Sequence, residues 1–282
     1  MSGFNGRVTV LDCTFRDGGY YTNWDFEHSL VQQYVSAINS SGISHVEVGF
    51  RNFPDKQYRG AFYYSHDDYV KNLGFSSKIS LYVMVDASSF STVSNIQLGV
   101  EKLFQKSNKS PISGVRVATR LDELDLSIQI IDIIQELGYQ ACLNIMQIAT
   151  ISAEEIQNAI AKLKTRSIEA LYFADSLGEM DPIDTKRVAG EISQKWHGEI
   201  GIHAHNNRGL ALANTLAAVE SGVTWVDATM AGMGRGAGNT EIEGLLLEIP
   251  NLIDNSKPIF NLVLSEFEPM QKEFGWGASF LY

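Results

Sequence analysis

The stretch Glu199-Ile200-Gly201-Ile202-His203-Ala204-His205-Asn206-Asn207 is where the fold of this chain can be read. Residues two apart in an extended strand share a face, so Gly201, His203 and His205 point one way and Ile202 and Ala204 the other. The apolar face packs outward on helices, and the two imidazoles face an enclosed lumen. Similar β-branched or apolar runs occur along the chain at Arg7–Leu11, Ser44–Phe50, Ile79–Val85, Gly114–Ala118, Gln140–Ile145, Ala170–Ala174 and Val223–Met230, which makes Glu199–His205 the seventh of eight. Between them lie segments of helical spacing, including Leu30-Tyr34-Ile38, Leu126-Ile130-Ile133-Ile134-Leu137, Ile156-Ile160-Leu163 and Leu212-Leu216-Val219. Gly42, Gly138 and Gly222 follow the last apolar position of such segments, where a left-handed residue is wanted, and Ser152 with Glu155 reads as a capping box. Strands alternating with helices imply a parallel sheet, and eight units predict closure into a (β/α)8 TIM barrel. No G-x-G-x-x-G follows the first strand, which argues against an open dinucleotide-binding sheet.

Composition sets limits on the partners. The chain has 282 residues, 44% of them apolar, and a formal net charge of -11, which disfavours nucleic acid and anionic membrane surfaces. Its Ser-rich stretches, near Ser76 to Ser94 and Ser107 to Ser113, are short loops rather than interdomain linkers, so one domain is expected over 1–282. The barrel occupies about 7–250, and 251–282 forms an extension whose Trp276 and Phe280 cover the barrel or a dimer contact. Only Cys13 and Cys142 are present, the amino terminus does not read as a signal peptide, and no apolar run is long enough for a membrane span, so a cytoplasmic location is expected.

Chemistry in such barrels is sought at the carboxyl ends of the strands. His203 and His205, a strand repeat apart, can bind one cation, and closure brings the first strand beside the eighth, so Asp17 joins them. Glu47 lies in the second strand, between the outward Val46 and Val48, and faces the lumen. A carboxylate there needs a cation or donors, supplied by Arg16 or the metal. After the eighth strand comes Ala231-Gly232-Met233-Gly234-Arg235-Gly236-Ala237-Gly238-Asn239, a loop over the same mouth, from which Asn239 could offer its carbonyl oxygen to the ion.

Thr14-Phe15-Arg16-Asp17-Gly18, Val46-Glu47-Val48-Gly49, His203-Ala204-His205-Asn206-Asn207 and the glycine-rich loop together resemble the DRE-TIM metallolyases of the HMG-CoA-lyase-like superfamily, from about Val8 to Leu247. With Ala174-Asp175-Ser176-Leu177-Gly178 the chain most resembles the 4-hydroxy-2-oxovalerate aldolase branch. That resemblance implies Mg2+ or Mn2+ on Asp17, His203, His205 and Asn239, a 2-oxo acid chelating it, Arg16, Asp175 and Gly236 around the substrate, and Arg16, Tyr20 and Glu47 in the chemistry. It further implies cleavage or formation of a carbon–carbon bond through a pyruvate enolate, with an aldehyde as the other partner, in a homodimer. A divalent ion about 4 Å from one negative charge is worth roughly 8 kcal/mol of gross attraction at an effective dielectric near 20.

The chain departs from the pattern in two places. Tyr20 stands where the pyruvate aldolases place a catalytic His, and a phenol with a reference pKa of about 10 gives a proton more readily than it takes one. The sequence ends at Tyr282 without the helical region by which such aldolases pair with an aldehyde dehydrogenase, so that partner is not expected. No proposed strand ends in the Lys a Schiff base needs, and the glycine-rich loop lacks the Cys of HMG-CoA lyase. The alternatives are a Claisen-type synthase using acyl-CoA, and a barrel that binds a 2-oxo acid without turning it over.

Overall fold

A computed structural model describes residues 8–249 and 253–277; Arg7 and Phe280 lie outside the described residues. Strands β1 (Thr9–Asp12), β2 (His45–Phe50), β3 (Ser80–Asp86), β4 (Gly114–Thr119), β5 (Gln140–Ile145), β6 (Ala170–Asp175), β7 (Glu199–Ala204) and β8 (Trp225–Ala228) form a closed parallel barrel in sequence order. Closure is made by β1 pairing with β8, with Leu11 opposite Asp227 and Asp12 opposite Ala228. The (β/α)8 architecture is therefore as expected, with strand ends displaced by one or two residues. The largest difference is at β8. Val223 is still tied to the preceding helix through its N–H on Ala218 O, and Met230 already begins the tight turn that follows, so neither joins the ladder.

Helices α1 (Thr14–Thr22), α2 (His28–Ser40), α3 (Ala61–Tyr64), α4 (Asp67–Lys71), α5 (Ile96–Leu103), α6 (Leu124–Glu136), α7 (Ala153–Leu163), α8 (Pro182–Ser193), α9 (Ala211–Glu220) and α10 (Ile242–Glu248) cover the outside. In α6 the spacing of Ile130, Ile133 and Ile134 turns an apolar stripe inward, where it meets the outward residues of the strands, such as Val115, Val117 and Leu143. Each such side chain fully buried contributes about 1.5–3 kcal/mol relative to exposure. The helix stops read from the sequence hold at Gly138 and Gly222, both at φ 93°. Gly42 is a correction. Ser41 leaves α2 in extended geometry and bonds Ile38 O through both its N–H and its hydroxyl, so the turn needs no left-handed residue at Gly42.

Inside the barrel the residues alternate out of this shell. Leu11, Tyr82, Cys142, Tyr172 and Trp225 fill the lower lumen. A Cβ on Gly201 would stand 2.4 Å from the Tyr172 ring, so the glycine in β7 is what lets that ring fill the lumen. Above this apolar plug the lumen turns polar, and the carboxyl ends of the strands open into a cavity. Among the described residues, no helix is long and apolar enough to cross a membrane.

Ser152 Oγ accepts from Glu155 N at 3.3 Å, and the Glu155 carboxylate accepts from Ser152 N at 2.9 Å, which completes the expected capping box of α7. Ser152→Ala is expected to lower the unfolding free energy by about 1 kcal/mol, read as a lower urea midpoint at unchanged slope.

Candidate active site

The centre of the polar lumen is an arginine that the sequence reading passed over. Arg116, on β4 between the outward Val115 and Val117, is completely buried. It grips Glu47 of β2 with two nitrogens, Nε on Oε1 at 2.8 Å and Nη2 on Oε2 at 2.6 Å, while Nη1 donates to Asp227 Oδ2 of β8 at 2.5 Å. Its guanidinium carbon stands 4.7 Å from the centre of the Tyr172 ring, a cation–π contact. From Asp227 the connection passes to His203, whose Nδ1–H donates to the same Oδ2 at 2.7 Å. His203 Nε2 lies 3.8 Å from Asp17 Oδ2, Asp17 Oδ1 accepts from Arg16 Nη1, and Arg16 Nε donates to Glu47 Oε2 at 2.7 Å. The six side chains thus close a ring, Glu47–Arg116–Asp227–His203–Asp17–Arg16, across five strands or strand ends.

The ring decides ionisation. Burial disfavours a charged Asp227, but Arg116 and the His203 bond outweigh it and hold the carboxyl at about 2. Burial likewise opposes ionisation of Glu47, and Arg116 with Arg16 overcome it, so its pKa is lowered. Asp17 differs: burial raises its pKa despite Arg16 and His203. Three carboxylates face two guanidiniums here, so the ring is short of one positive charge when all three are ionised. Asp227, fixed as an acceptor, also fixes His203: with the proton on Nδ1, Nε2 is left with its lone pair toward Asp17.

His205, half-buried at the end of β7, stands 5.1 Å ring to ring from His203. Burial, then the neighbouring His203, Arg235 and Arg16, press its pKa well below the ordinary imidazole value, so it is neutral and able to coordinate. Asn239 closes the group: Nδ2 donates to Asp17 Oδ2 at 2.8 Å and to Met233 O at 3.3 Å, and its buried Oδ1 has no partner. Among the described residues, no three His, Cys, Asp or Glu side chains converge as a metal-holding set, because Asp17 is turned onto Arg16 and Asn239. The donor chemistry nevertheless fits a divalent ion. An imidazole nitrogen with its tautomer fixed, a carboxylate, a second neutral imidazole and an orphaned amide oxygen border one negatively biased corner.

The loop carrying Asn239 is pinned from the carboxyl-terminal side. Ala231 sits at φ 49°, a left-handed conformation costing roughly 1–3 kcal/mol outside glycine. Its carbonyl accepts from Trp276 Nε1 at 2.9 Å and Gln271 Nε2 at 3.3 Å, and its N–H donates to Glu243, whose pKa burial raises to about 7. Gly238, at φ 77° with Gly232 O 2.1 Å from where a Cβ would be, allows the loop to fold back so that Asn206 N reaches Gly238 O at 2.9 Å.

A cavity of about 270 Å³ occupies the mouth. Arg16, Asp17, Tyr20, His203, His205 and Arg235 line one side, and residues from the ends of β3 to β6 line the other. Arg16 Nη2 is buried and unpartnered. Tyr20 is 48% exposed, packs edge-on against Trp24 at 5.0 Å, and burial of part of its ring raises its pKa. Four predicted site residues do not line the cavity: Glu47 is taken up by Arg16 and Arg116, Asn239 bonds Asp17, and Asp175 and Gly236 turn to other partners. Asp175 turns its carboxylate onto Glu179 N and Met180 N, both at 3.0 Å, while the adjacent Ser176 lines the wall instead. Gly236 presents its carbonyl to Tyr21 and to Gly277 N. Arg116 and Asp227 were recognisable from the alternation, since each is a charged residue at an inward position of an otherwise apolar strand.

A family model described as HMGL-like matches residues 105–257. The chain belongs to the HMGL-like family. Among relatives, a 4-hydroxy-2-oxovalerate aldolase of Carboxydothermus hydrogenoformans is 30% identical over 248 residues, 87% of this chain and 71% of that one. Among solved structures, the N-terminal domain of a suspected aldolase from Bacteroides vulgatus superposes with a TM-score of 0.84 at 30% identity, over 96% of this chain and 90% of that one. HMG-CoA lyase of Bacillus subtilis gives 0.73 at 17% identity over 96% and 95%, a likeness of fold. The family match begins in the middle of the barrel, and the ring of this HMGL-like chain draws on strands both inside and outside the matched span.

Arg116→Met leaves buried Asp227 without a guanidinium and Glu47 with Arg16 alone. Equilibrium denaturation is expected to show a loss of about 3–5 kcal/mol, partly regained when Glu47→Gln and Asp227→Asn are added.

Proposed function

We propose that this chain is a divalent-metal-dependent aldolase or lyase that makes or breaks a carbon–carbon bond in a 4-hydroxy-2-oxo acid by way of a pyruvate enolate. The observation that carries this reading is His203 Nε2, in a cavity shared with Arg16 and oriented by Asp227 toward Asp17, whose Oδ2 also holds Asn239 with its orphaned Oδ1. The aldolase name borne by the relatives supports the reaction class. Asp17, His203, His205 and Asn239 would hold the ion, Mg2+ or Mn2+. When bound, such an ion supplies Lewis acidity that stabilises negative charge on a ketone oxygen.

The protein's own groups have separable tasks. Arg16, held charged by Asp17 and Glu47, has Nη2 free to donate to the oxygen on which enolate charge collects, and a preorganised donor of this kind acts on the transition state. Glu47 serves by holding Arg16 and Arg116 in place. Tyr20, kept as a neutral phenol by its raised pKa, is suited to protonating the alkoxide during bond formation and to hydrogen bonding, rather than to taking a proton from carbon at neutral pH. Asp175 and Gly236 act on the substrate through the loops they shape. No cysteine is among the described residues lining the cavity, and release of free thiol from acetyl-CoA is the outcome that would favour a Claisen-type synthase.

The deciding experiment loads the protein with Mn2+ and follows deuterium from solvent into the pyruvate methyl group. Exchange that vanishes with chelator and returns with metal is the expected result; tight 2-oxo acid binding with no exchange would make the chain a binding module. Asp227→Asn is expected to weaken Mn2+ about 10–100-fold in calorimetry, because the amide no longer dictates the His203 tautomer. Tyr20→Phe should lower retro-aldol turnover about 100-fold while leaving the Mn2+ affinity near that of the parent chain.

A further inference from the structure

The cavity has two chemically different walls, and the second is not used by the metal or by Arg16. Strands β4 and β5 lie across the barrel from β8 and β1. Their carboxyl ends, with those of β3 and β6, form this second wall. Asn144 of β5 lines it, is 3% exposed, and its Oδ1 has no partner. Its register neighbours are Ala118 on one side and Tyr172 on the other, so the small alanine leaves room beside the amide. An unsatisfied buried amide is costly, and a ligand hydroxyl, being both donor and acceptor, can meet either end of it. Next to it Ser176 Oγ accepts from Gln147 N at 3.0 Å, which leaves the hydroxyl hydrogen to be given to a ligand. Asp86 lines the same wall, with one carboxylate oxygen capping Ser88 N at 2.9 Å.

The charge on this wall selects further. Its cation, Arg120, is held by Glu123 at 2.9 Å and Asp122 at 3.7 Å. With Asp86 beside it there is no surplus positive charge for a phosphate or carboxylate. Arg235 reaches the cavity from the loop after β8, on the 2-oxo acid side. The cavity, of about 270 Å³, has room for a short acceptor beside the 2-oxo acid.

We propose that the aldehyde partner is a neutral, short hydroxyaldehyde whose hydroxyl is read by Asn144, so that the wall from β3 to β6 selects polyhydroxylated over simple alkyl acceptors. The proposal rests on the aldolase reading above and names its acceptor class. In the addition direction the methyl carbon of pyruvate gives up one proton and bonds to the aldehyde carbon. The aldehyde oxygen takes up one proton, and the product is a 4,5-dihydroxy-2-oxo acid with no oxidant or other co-reactant consumed.

The test compares kcat/KM for addition of pyruvate to glycolaldehyde and acetaldehyde, then to glyceraldehyde, propanal and glyceraldehyde 3-phosphate, with the Mn2+-loaded full chain. Glycolaldehyde and glyceraldehyde are expected to exceed their deoxy counterparts by about tenfold or more, the equivalent of one hydrogen bond, and the phosphate ester to gain nothing. Asn144→Ala and the milder Asn144→Ser should each reduce the glycolaldehyde-to-acetaldehyde ratio by about tenfold. A readout apart from turnover is saturation-transfer NMR on the pyruvate-bound protein, in which propane-1,2-diol should be detected with the parent chain and lost with Asn144→Ala. Equal kcat/KM for the hydroxylated and deoxy aldehydes overturns the proposal. Preference for the phosphate ester overturns its neutral character, and a ratio retained in both variants overturns the role of Asn144. Methyl exchange without any acceptor preference sinks this proposal alone, whereas absence of exchange sinks it together with the aldolase reading.

Discussion

A guanidinium with no access to water cannot be left alone, and Arg116 is the one on which this barrel is organised. Its charge cannot be shed at any accessible pH, so the interior must supply carboxylates at fork geometry. Glu47 and Asp227 do so from β2 and β8. Those carboxylates are in turn too costly to bury without partners, and they draw in Arg16 and His203. Such a ring adds little net stability over an apolar lumen, since desolvation offsets much of the Coulomb attraction. What it specifies is position. Five strands or strand ends must arrive in register for the ring to close, and each member is held by at least two others.

This explains why the reactive mouth sits where it does. The apolar plug of Tyr82, Cys142, Tyr172 and Trp225 closes the lower barrel, and the ring lies above it as a rigid floor. From that floor His203 Nε2 and Arg16 Nη2 emerge with their orientations already set, one by Asp227 and the other by Glu47 and Asp17. A site assembled this way loses little in reorganisation when charge develops on a substrate oxygen. The strained turn at Ala231, clamped by Trp276 and Gln271, applies the same logic to the loop that brings Asn239 over Asp17.

The two walls of the cavity differ in how they are tied to the ring. The side built from β1, β7 and β8 is bound to the ring, so a change there disturbs the floor. On the side from β3 to β6, below whose mouth Arg116 holds the ring, the residues Ser176 and Asp86 hydrogen-bond locally and Asn144 Oδ1 has an open valence.

The sequence by itself determined the eightfold barrel and the meeting of Asp17 with His203 and His205 at one end of it. Period-two alternation in strands and period-3.6 spacing in helices are local, and a dipeptide repeat such as His203-Ala204-His205 displays its face without any knowledge of neighbours. Glu47 was legible for the same reason. What only tertiary structure decided is which charge meets which. Arg116 and Asp227 are 111 residues apart, and their pairing exists only because β4 and β8 face each other across a closed lumen. The family resemblance put Asp175 beside the substrate, but its carboxylate found the nearer N–H groups of Glu179 and Met180, a competition no linear pattern displays. The orphaned oxygens of Asn239 and Asn144 belong to the same class, since lacking a partner is a property of the assembled cavity rather than of the residue.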